Sequence, residues 1–326
     1  MLAAELQAME QLDIPFFVAN SSSDCLILPD GEVLEIFVEP SFKAVVKRIK
    51  NLSTTDLTQQ VEIIRGSYYA RFIKEPSPVD NIGNAGNVDN ENINQSISSP
   101  AIATEPLNQQ QLVHKAITIA QKLQQDAIVE TNGSLNWFGF SYRQTNQAFQ
   151  FQQLNYGLYD GIAGVALFFA ALTKITGEEQ FRKLTLSTLQ PLRQVFTNSN
   201  SEKITRLVER EGINGTTGLG SMIYALTHIS ELLEDVTLFQ DAQKLACLIT
   251  PELIASDNCF DIMGGNAGVI LSLLALHNAS DNQESKPLEL AILCGEHLLK
   301  NQTSVNDSPR AWKTWKDKQI TGFSQG

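Results

Sequence analysis

The chain has 326 residues, of which 43% are hydrophobic, and it carries a net charge of −12. This length and apolar content allow about two domains, and the acidity excludes the clustered Lys and Arg of a nucleic-acid-binding surface. The longest apolar run, 162–172, is too short to cross a bilayer. The first eleven residues contain Glu5 and Glu10 where a secretion signal would be basic. The four cysteines are scattered, as is usual for reduced thiols, and the sequence therefore predicts a cytoplasmic protein.

Residues 1–73 are predicted to form a small α+β unit. Two strand-like runs, Leu26–Leu28 and Val33–Val38, flank a Pro-Asp-Gly turn sequence. Two helices follow, and the second is opened by Ser53-x-x-Asp56, which resembles a capping box. A unit of this size with so little apolar surface would be marginal by itself. We interpret it as the end of a larger domain.

Residues 74–109 are predicted to be a disordered linker. No aromatic residue occurs between Phe72 and Trp137, and the stretch from Pro76 to Pro106 is rich in Asn, Ser and Pro. Such a composition cannot bury enough surface to offset the entropy lost on ordering.

The remaining residues, 110–326, contain a repeat. A helix is predicted over 110–127, and a Gly-x-x-Gly string followed by an apolar run then occurs at nearly even intervals, at Gly161–Gly164, Gly215–Gly218 and Gly265–Gly268. After each apolar run comes a second stretch with helical spacing and a charged face, so buried inner helices alternate with outer ones. The sequence predicts a mainly α fold, an incomplete α/α toroid, that breaks off where a fourth copy would begin.

The residue before the first glycine of each copy is expected to lie at the rim of the toroid cavity. These residues are Asp160, Asn214, Gly264 and, in the fourth copy, Gln325. Polar groups on equivalent helix starts can converge on one ligand. The alternative is helix capping, because Asp and Asn accept backbone N–H bonds at that position. Both interpretations stay open for Asp160, and capping is favoured for Asn214.

Several strings resemble a known family. Gly157–Gly164, Asp261–Gly268 and Gly322–Gly326 are similar to motifs of the lanthionine synthetase C-like cyclase domain. Leu12–Phe17 and Pro40–Phe42 are similar to the tail of the dehydratase that precedes the cyclase in class II lanthipeptide synthetases, the LanM type. The resemblance covers most of the chain outside the linker.

This resemblance implies an activity and its cofactors. The family dehydrates Ser and Thr of a precursor peptide, using ATP and magnesium, and then adds Cys thiols to the alkenes with the help of zinc. The proton-handling Asp of the family is placed on Asp160, and the family His is replaced by Gln325. The resemblance places the zinc ligands after Gly326 and the dehydratase active site before Met1.

We therefore predict a fragment of a synthetase that is inactive alone, and whether it is an enzyme stays open. No metal or cofactor is expected to be held by this chain. The predicted partners are the precursor peptide and a separately encoded remainder of the synthetase, without nucleic acid or a membrane span. Two alternatives are a non-catalytic toroid that binds a peptide or a partner, and a glycoside hydrolase in which Asp160 works with Asp261 across the cavity.

Overall fold

The computed structural model describes residues 3–11, 16–28, 31–72, 106–143, 148–197, 201–280, 285–303 and 311–312. The chain divides into two compact units, Met1–Phe72 and Ile73–Gly326. Residues 74–105 of the predicted linker and Gln325 lie outside the described residues, so the predicted linker and domain boundaries stay predictions.

The first unit is the predicted small α+β unit. Its elements are α1 (Ala3–Glu10), β1 (Val18–Ala19), β2 (Cys25–Ile27), β3 (Val33–Glu35), α2 (Ser41–Lys50) and α3 (Thr54–Phe72). The three strands form an antiparallel sheet in the order β1-β2-β3. The predicted capping box is present, because the Asp56 N–H donates to Ser53 Oγ (3.2 Å) and the Ser53 N–H donates to Asp56 Oδ2 (3.0 Å).

This unit has a very small core. Among its described residues, the buried hydrophobic side chains are Leu28 and Ala70. The apolar stripe of α2 is exposed, with 60% of Phe42, 52% of Val45 and 60% of Ile49 accessible to solvent. These values agree with the expectation that the unit would be marginal in isolation.

The second unit opens with a capped helix and two β-hairpins. Asn108 and Gln111 form a reciprocal capping box at the start of α4 (Gln109–Asp126). The hairpins are β4 (Ile128–Val129) with β5 (Leu135–Asn136), and β6 (Phe138–Arg143) with β7 (Ala148–Gln153). Aromatic rings pack across the second hairpin, with the centroids of Phe140 and Phe151 5.1 Å apart. The aromatic residues of this segment therefore lie on paired strands.

Three helical hairpins follow and form the main core. They pair α5 (Ile162–Thr176) with α6 (Glu179–Thr197), α8 (Leu219–Leu233) with α9 (Val236–Ala246), and α11 (Asn266–Ala279) with α12 (Ser285–Lys300). The inner helix α8 packs against both α5 and α11, and most of its residues are buried. The outer helix α12 keeps its charged residues on the exposed side, whereas α9 exposes Lys244 but buries Asp241, which pairs with Arg193 of α6. Inner and outer helices thus alternate as predicted, and the helical toroid class is confirmed.

Two short helices connect the hairpins. They are α7 (Ser201–Glu211), before the second hairpin, and α10 (Pro251–Ala255), before the third. Helix α7 was not predicted from the sequence, because many of its residues are charged and its apolar stripe is short. In that stripe Leu207 is buried, and Ile204 and Val208 pack against the core. Throughout the described ranges, every helix is too short or too polar to traverse a bilayer.

Candidate functional site at the helix starts

The inner helices begin directly after a glycine, and this fixes the register of the repeats. The N-cap residues of α5, α8 and α11 are Gly161, Gly218 and Gly265. The predicted equivalence of Asp160, Asn214 and Gly264 is therefore wrong for the second copy. The helix there starts after the second glycine of its string, so Thr217 occupies the place of Asp160.

The same register defines a second set of equivalent positions, four residues before each N-cap. These are Gly157, Asn214 and Asp261. Sequence periodicity misplaced Asn214 because Gly215 is present for a different reason. A Cβ on Gly215 would lie 2.7 Å from Gly268 Cα, so this glycine permits close contact between neighbouring repeats and does not begin a helix.

Hydrogen bonds join the three loops into one row, which we call the rim. It comprises residues 155–161, 212–218 and 257–265. The carbonyl oxygen of Thr216 accepts the N–H groups of Leu158 (3.1 Å) and Tyr159 (2.9 Å). The hydroxyl of Thr216 donates to the carbonyl of Met263 (2.8 Å). The rim therefore places the loops of all three hairpins side by side at one end of the inner helices.

Asp160 lies on the first rim loop and is half-buried. Its Oδ1 accepts a hydrogen bond from Asn155 Nδ2 (2.8 Å), while Asn155 Oδ1 accepts the Gly157 N–H (2.8 Å). Helix α5 is capped by Gly161 without a side-chain bond, so the capping alternative does not describe Asp160. The carboxylate is held in place by a neighbouring amide instead.

Asp160 borders an open cleft of about 480 Å³. Most of the lining is apolar and comes from α4, β6 and α5, with Leu123, Phe140 and Phe168 as examples. Tyr159 stands at the edge and is 76% exposed. An open apolar cleft beside a fixed carboxylate is suited to holding an extended substrate.

Asn214 has a structural role on the second loop. Its Oδ1 accepts the N–H groups of Thr216 (3.1 Å), Thr217 (2.7 Å) and Gly218 (2.9 Å). Helix α8 is capped by Gly218 without a side-chain bond, and Asn214 lies four residues earlier, so the favoured capping alternative does not describe Asn214. Its amide oxygen instead holds the backbone of the loop that leads into α8.

Asp261, which the sequence suggested as a site residue only in the glycoside hydrolase alternative, is a second carboxylate on the rim. It is half-buried on the third rim loop, where it accepts the Gly264 N–H (2.5 Å). Burial raises the pKa of Asp261 and the nearby Asp257 charge adds to the increase, although backbone hydrogen bonds oppose it. A carboxyl group with a raised pKa is better matched to proton transfer near neutral pH than an ordinary one.

The described residues do not fit a zinc site. Within those ranges, no three His, Cys, Asp or Glu side chains are grouped to hold a metal ion. Burial raises the pKa of the Cys259 thiol, and it raises the pKa of Cys294 to about 12, with Asp257 contributing to both. Neither thiol belongs to a group of three such side chains within the described residues.

A larger cleft, of about 690 Å³, lies beside α6 and α7, and neither Asp160 nor Asp261 lines it. It is lined by Pro191, Leu207 and several charged side chains. The Arg210 guanidinium there lies 5.2 Å from the centroid of the Tyr156 ring and also pairs with Glu211. Its walls mix both charge signs, so it shows no preference for one class of ligand.

Helical hairpins with glycine-started inner helices, whose entry loops form a common rim, define a repeat protein of the helical toroid class. Comparison with protein families identifies which one. The sequence model of the lanthionine synthetase C-like proteins matches residues 152–326, more than half of the chain. The chain belongs to this family.

A longer relative supports the same assignment. The chain is 20% identical over 305 residues to the lacticin 481/lactococcin biosynthesis protein LcnDR2 of Lactococcus lactis subsp. lactis. The similar region covers 92% of this chain and 30% of that protein, so the chain spans less than a third of the relative's length. The predicted resemblance to class II lanthipeptide synthetases is confirmed at this level.

Proposed function

We propose that the chain contributes the first helical hairpins of the cyclase in a class II lanthipeptide synthetase. The family supports a precursor peptide as substrate. The chain also matches the relative over residues of both units, since the similarity covers 92% of its length. In this proposal the first unit is the end of a dehydratase and the cleft beside Asp160 receives the peptide.

The rim is the part of the chain that would take part in ring formation. In thioether synthesis a Cys thiol loses its proton, the sulfur bonds to the β-carbon of a dehydrated residue, and the α-carbon of the resulting enolate gains a proton. Asp160 is the family-based candidate for these proton transfers. Asp261 is a second candidate, supported by its raised pKa. The observation that carries the proposal is the row of hydrogen bonds through Thr216. These bonds connect the loop that carries Asp160 to the loop that carries Asp261.

We further propose that the chain is inactive by itself and that the remaining parts are supplied by another chain. Zinc for the cyclase and ATP with magnesium for the dehydratase would be bound elsewhere. The four cysteines are free thiols, which fits the predicted cytoplasmic location.

The test is a direct assay of the purified chain. It would be incubated with zinc and a precursor peptide carrying dehydrated residues and free Cys, and the remaining thiols would be alkylated and counted by mass spectrometry. We expect no thioether formation and no stoichiometric zinc, but saturable binding of the peptide. One tightly bound zinc per chain together with ring formation would show that the proposed inactivity is wrong.

Non-catalytic binding of a peptide is the second candidate function, and the exposed Tyr159 beside an apolar cleft favours it. The two candidates differ when an active synthetase is rebuilt with the missing parts in trans. Under the cyclase proposal, Asp160→Asn or Asp261→Asn slows ring formation while peptide affinity stays unchanged. Under the binding proposal, Tyr159→Ala weakens peptide binding and neither Asp substitution alters ring formation.

A further inference from the structure

The third rim loop is held by a carboxylate that the proposed reaction does not use. Asp257 Oδ1 accepts the Cys259 N–H (3.0 Å), and its Oδ2 accepts the N–H groups of Phe260 (3.3 Å) and Asn266 (2.8 Å). Asn266 is the first residue of α11, so one side chain connects the start of the loop to the start of the inner helix. Asp261 lies between these anchor points.

The backbone beside Asp261 is strained. Phe260 has a φ of 63°, in the left-handed region that costs a non-glycine residue roughly 1–2 kcal/mol. The chain also turns back closely on itself, because a Cβ on Gly265 would overlap the backbone nitrogen of Phe260. Such a conformation persists only where surrounding contacts determine it.

Contacts with α12 hold the other side of the loop. The Phe260 ring packs against the His297 ring with centroids 5.7 Å apart. His297 Nε2 lies 3.0 Å from the carbonyl oxygen of Asp257. Phe260 is therefore held at two points. Its ring packs against His297 of α12, and its N–H donates to the carboxylate of Asp257.

We propose that Asp257 is a positioning residue for Asp261, because its carboxylate fixes the loop backbone on which Asp261 lies. This inference rests on the proposed function in treating Asp261 as a proton-transfer group. Asp257 itself does not touch the substrate in this scheme. It acts through the N–H groups that it binds and through its charge.

The negative charge of Asp257 raises the pKa of Asp261. Burial is the main cause of the raised pKa of Asp261, and the negative charge of Asp257 adds to it. The other titratable groups around the loop are the thiols of Cys259 and Cys294, whose pKa values are raised by burial and by the same charge, and the imidazole of His297. Removing the charge of Asp257 therefore lowers the pKa of Asp261 and reduces its protonated fraction.

The experiment compares the full chain with its Asp257→Asn variant. Carboxyl-labelled Asp would be titrated by NMR, and amide hydrogen exchange would be measured at Cys259, Phe260 and Asn266. We expect the pKa of Asp261 to fall and exchange at Phe260 to quicken by about tenfold, the size expected for one lost hydrogen bond. The matched control is Asp235→Asn, which removes a carboxylate that accepts the Thr237 N–H (3.0 Å) at the start of α9. That control should leave both readouts at the third loop unchanged.

An unchanged pKa of Asp261 together with unchanged exchange in Asp257→Asn would overturn the inference. If that variant does not fold, Asp257→Glu keeps the charge but displaces its oxygens by one methylene. In that variant we expect faster exchange at Phe260 while the pKa of Asp261 stays raised, and unchanged exchange would overturn the inference. Neither readout requires ring formation. A failure of Asp261→Asn to affect the rebuilt synthetase would therefore count against the proposed function and leave the role of Asp257 in the loop intact.

Discussion

The side-chain amide of Asn155 lies between the carboxylate of Asp160 and the backbone of Gly157, at 2.8 Å from each. The arrangement requires a residue without a side chain at 161. A Cβ on Gly161 would overlap Asn155 Oδ1 and would lie 2.5 Å from the nitrogen and the oxygen of Gly157. The glycine that starts helix α5 therefore also makes room for the group that holds Asp160.

We predict that Gly161→Ala lowers the free energy of unfolding by about 2–3 kcal/mol, because the new methyl group has no space against backbone atoms. Chemical denaturation of the purified chain would measure the loss. Gly295→Ala is the matched control, since this glycine lies inside α12 and a Cβ there meets no atom within 4 Å. It should raise stability by about 0.5–1 kcal/mol, as expected for Gly to Ala in a helix. Equal effects of the two changes would contradict the crowding argument.

The amide of Asn214 leads to a second prediction. Asn214→Ala leaves three backbone donors of the second rim loop without their acceptor. We expect a loss of about 1–3 kcal/mol, the usual cost of unsatisfied, partly buried donors. Asn258→Ala, which removes an exposed amide bonded to the Ser256 carbonyl, should change stability by less than about 0.5 kcal/mol. Thermal unfolding followed by circular dichroism would compare them, and a neutral Asn214→Ala would rule out the structural role.

The sequence predicted the helical hairpins well, because burial of apolar runs is a local pattern. In the outer helix α6, for example, the apolar residues Phe181, Leu189 and Leu192 recur at helical spacing, and all three are buried. The residue at which each inner helix begins could not be predicted in this way. Gly215 and Gly218 are the same residue type with different causes, since the first permits contact with the next repeat and the second begins a helix.

In the candidate site, too, one feature could be predicted from a local sequence pattern and another could not. Asp160 was identified by the resemblance of its motif to the family, and in this copy the helix does begin after the first glycine of the string, as the periodicity predicts. The environment of Asp261 depends on Asp257 and on the packing of Phe260 against α12, which bring residues far apart in the chain together. Such tertiary effects on a pKa leave no local pattern in the sequence.

Cysteine reactivity provides a third prediction. Cys294 is buried and its pKa is raised to about 12, mainly by burial, whereas Cys247 is exposed. Because the thiolate is the reactive form, we expect iodoacetamide at pH 8 to modify Cys247 at least tenfold faster than Cys294 in the folded chain. Peptide mapping by mass spectrometry would give both rates, and urea-unfolded chain is the control in which they converge. Rapid labelling of Cys294 in the folded chain would show that the third hairpin opens.

The raised pKa of Asp261 makes a fourth prediction, on the pH dependence of stability. A carboxyl group whose folded pKa exceeds its unfolded value, near 3.8, stabilises the fold below that value. This contribution is lost as pH rises through the folded pKa. The amide that Asp261→Asn introduces does not titrate, so the wild-type free energy of unfolding should fall relative to the variant as pH increases from 3.8.

Asp235 provides the control with the opposite sign. Burial tends to raise the pKa of Asp235, but hydrogen bonds from Thr237 and the charges of Arg182 and Arg193 outweigh burial and lower it. Its contribution is present above the unfolded value and is lost as pH falls through the folded pKa. Urea denaturation of wild type, Asp261→Asn and Asp235→Asn at a series of pH values would give two difference curves. Curves of the same sign would contradict the environment that the rim gives to Asp261.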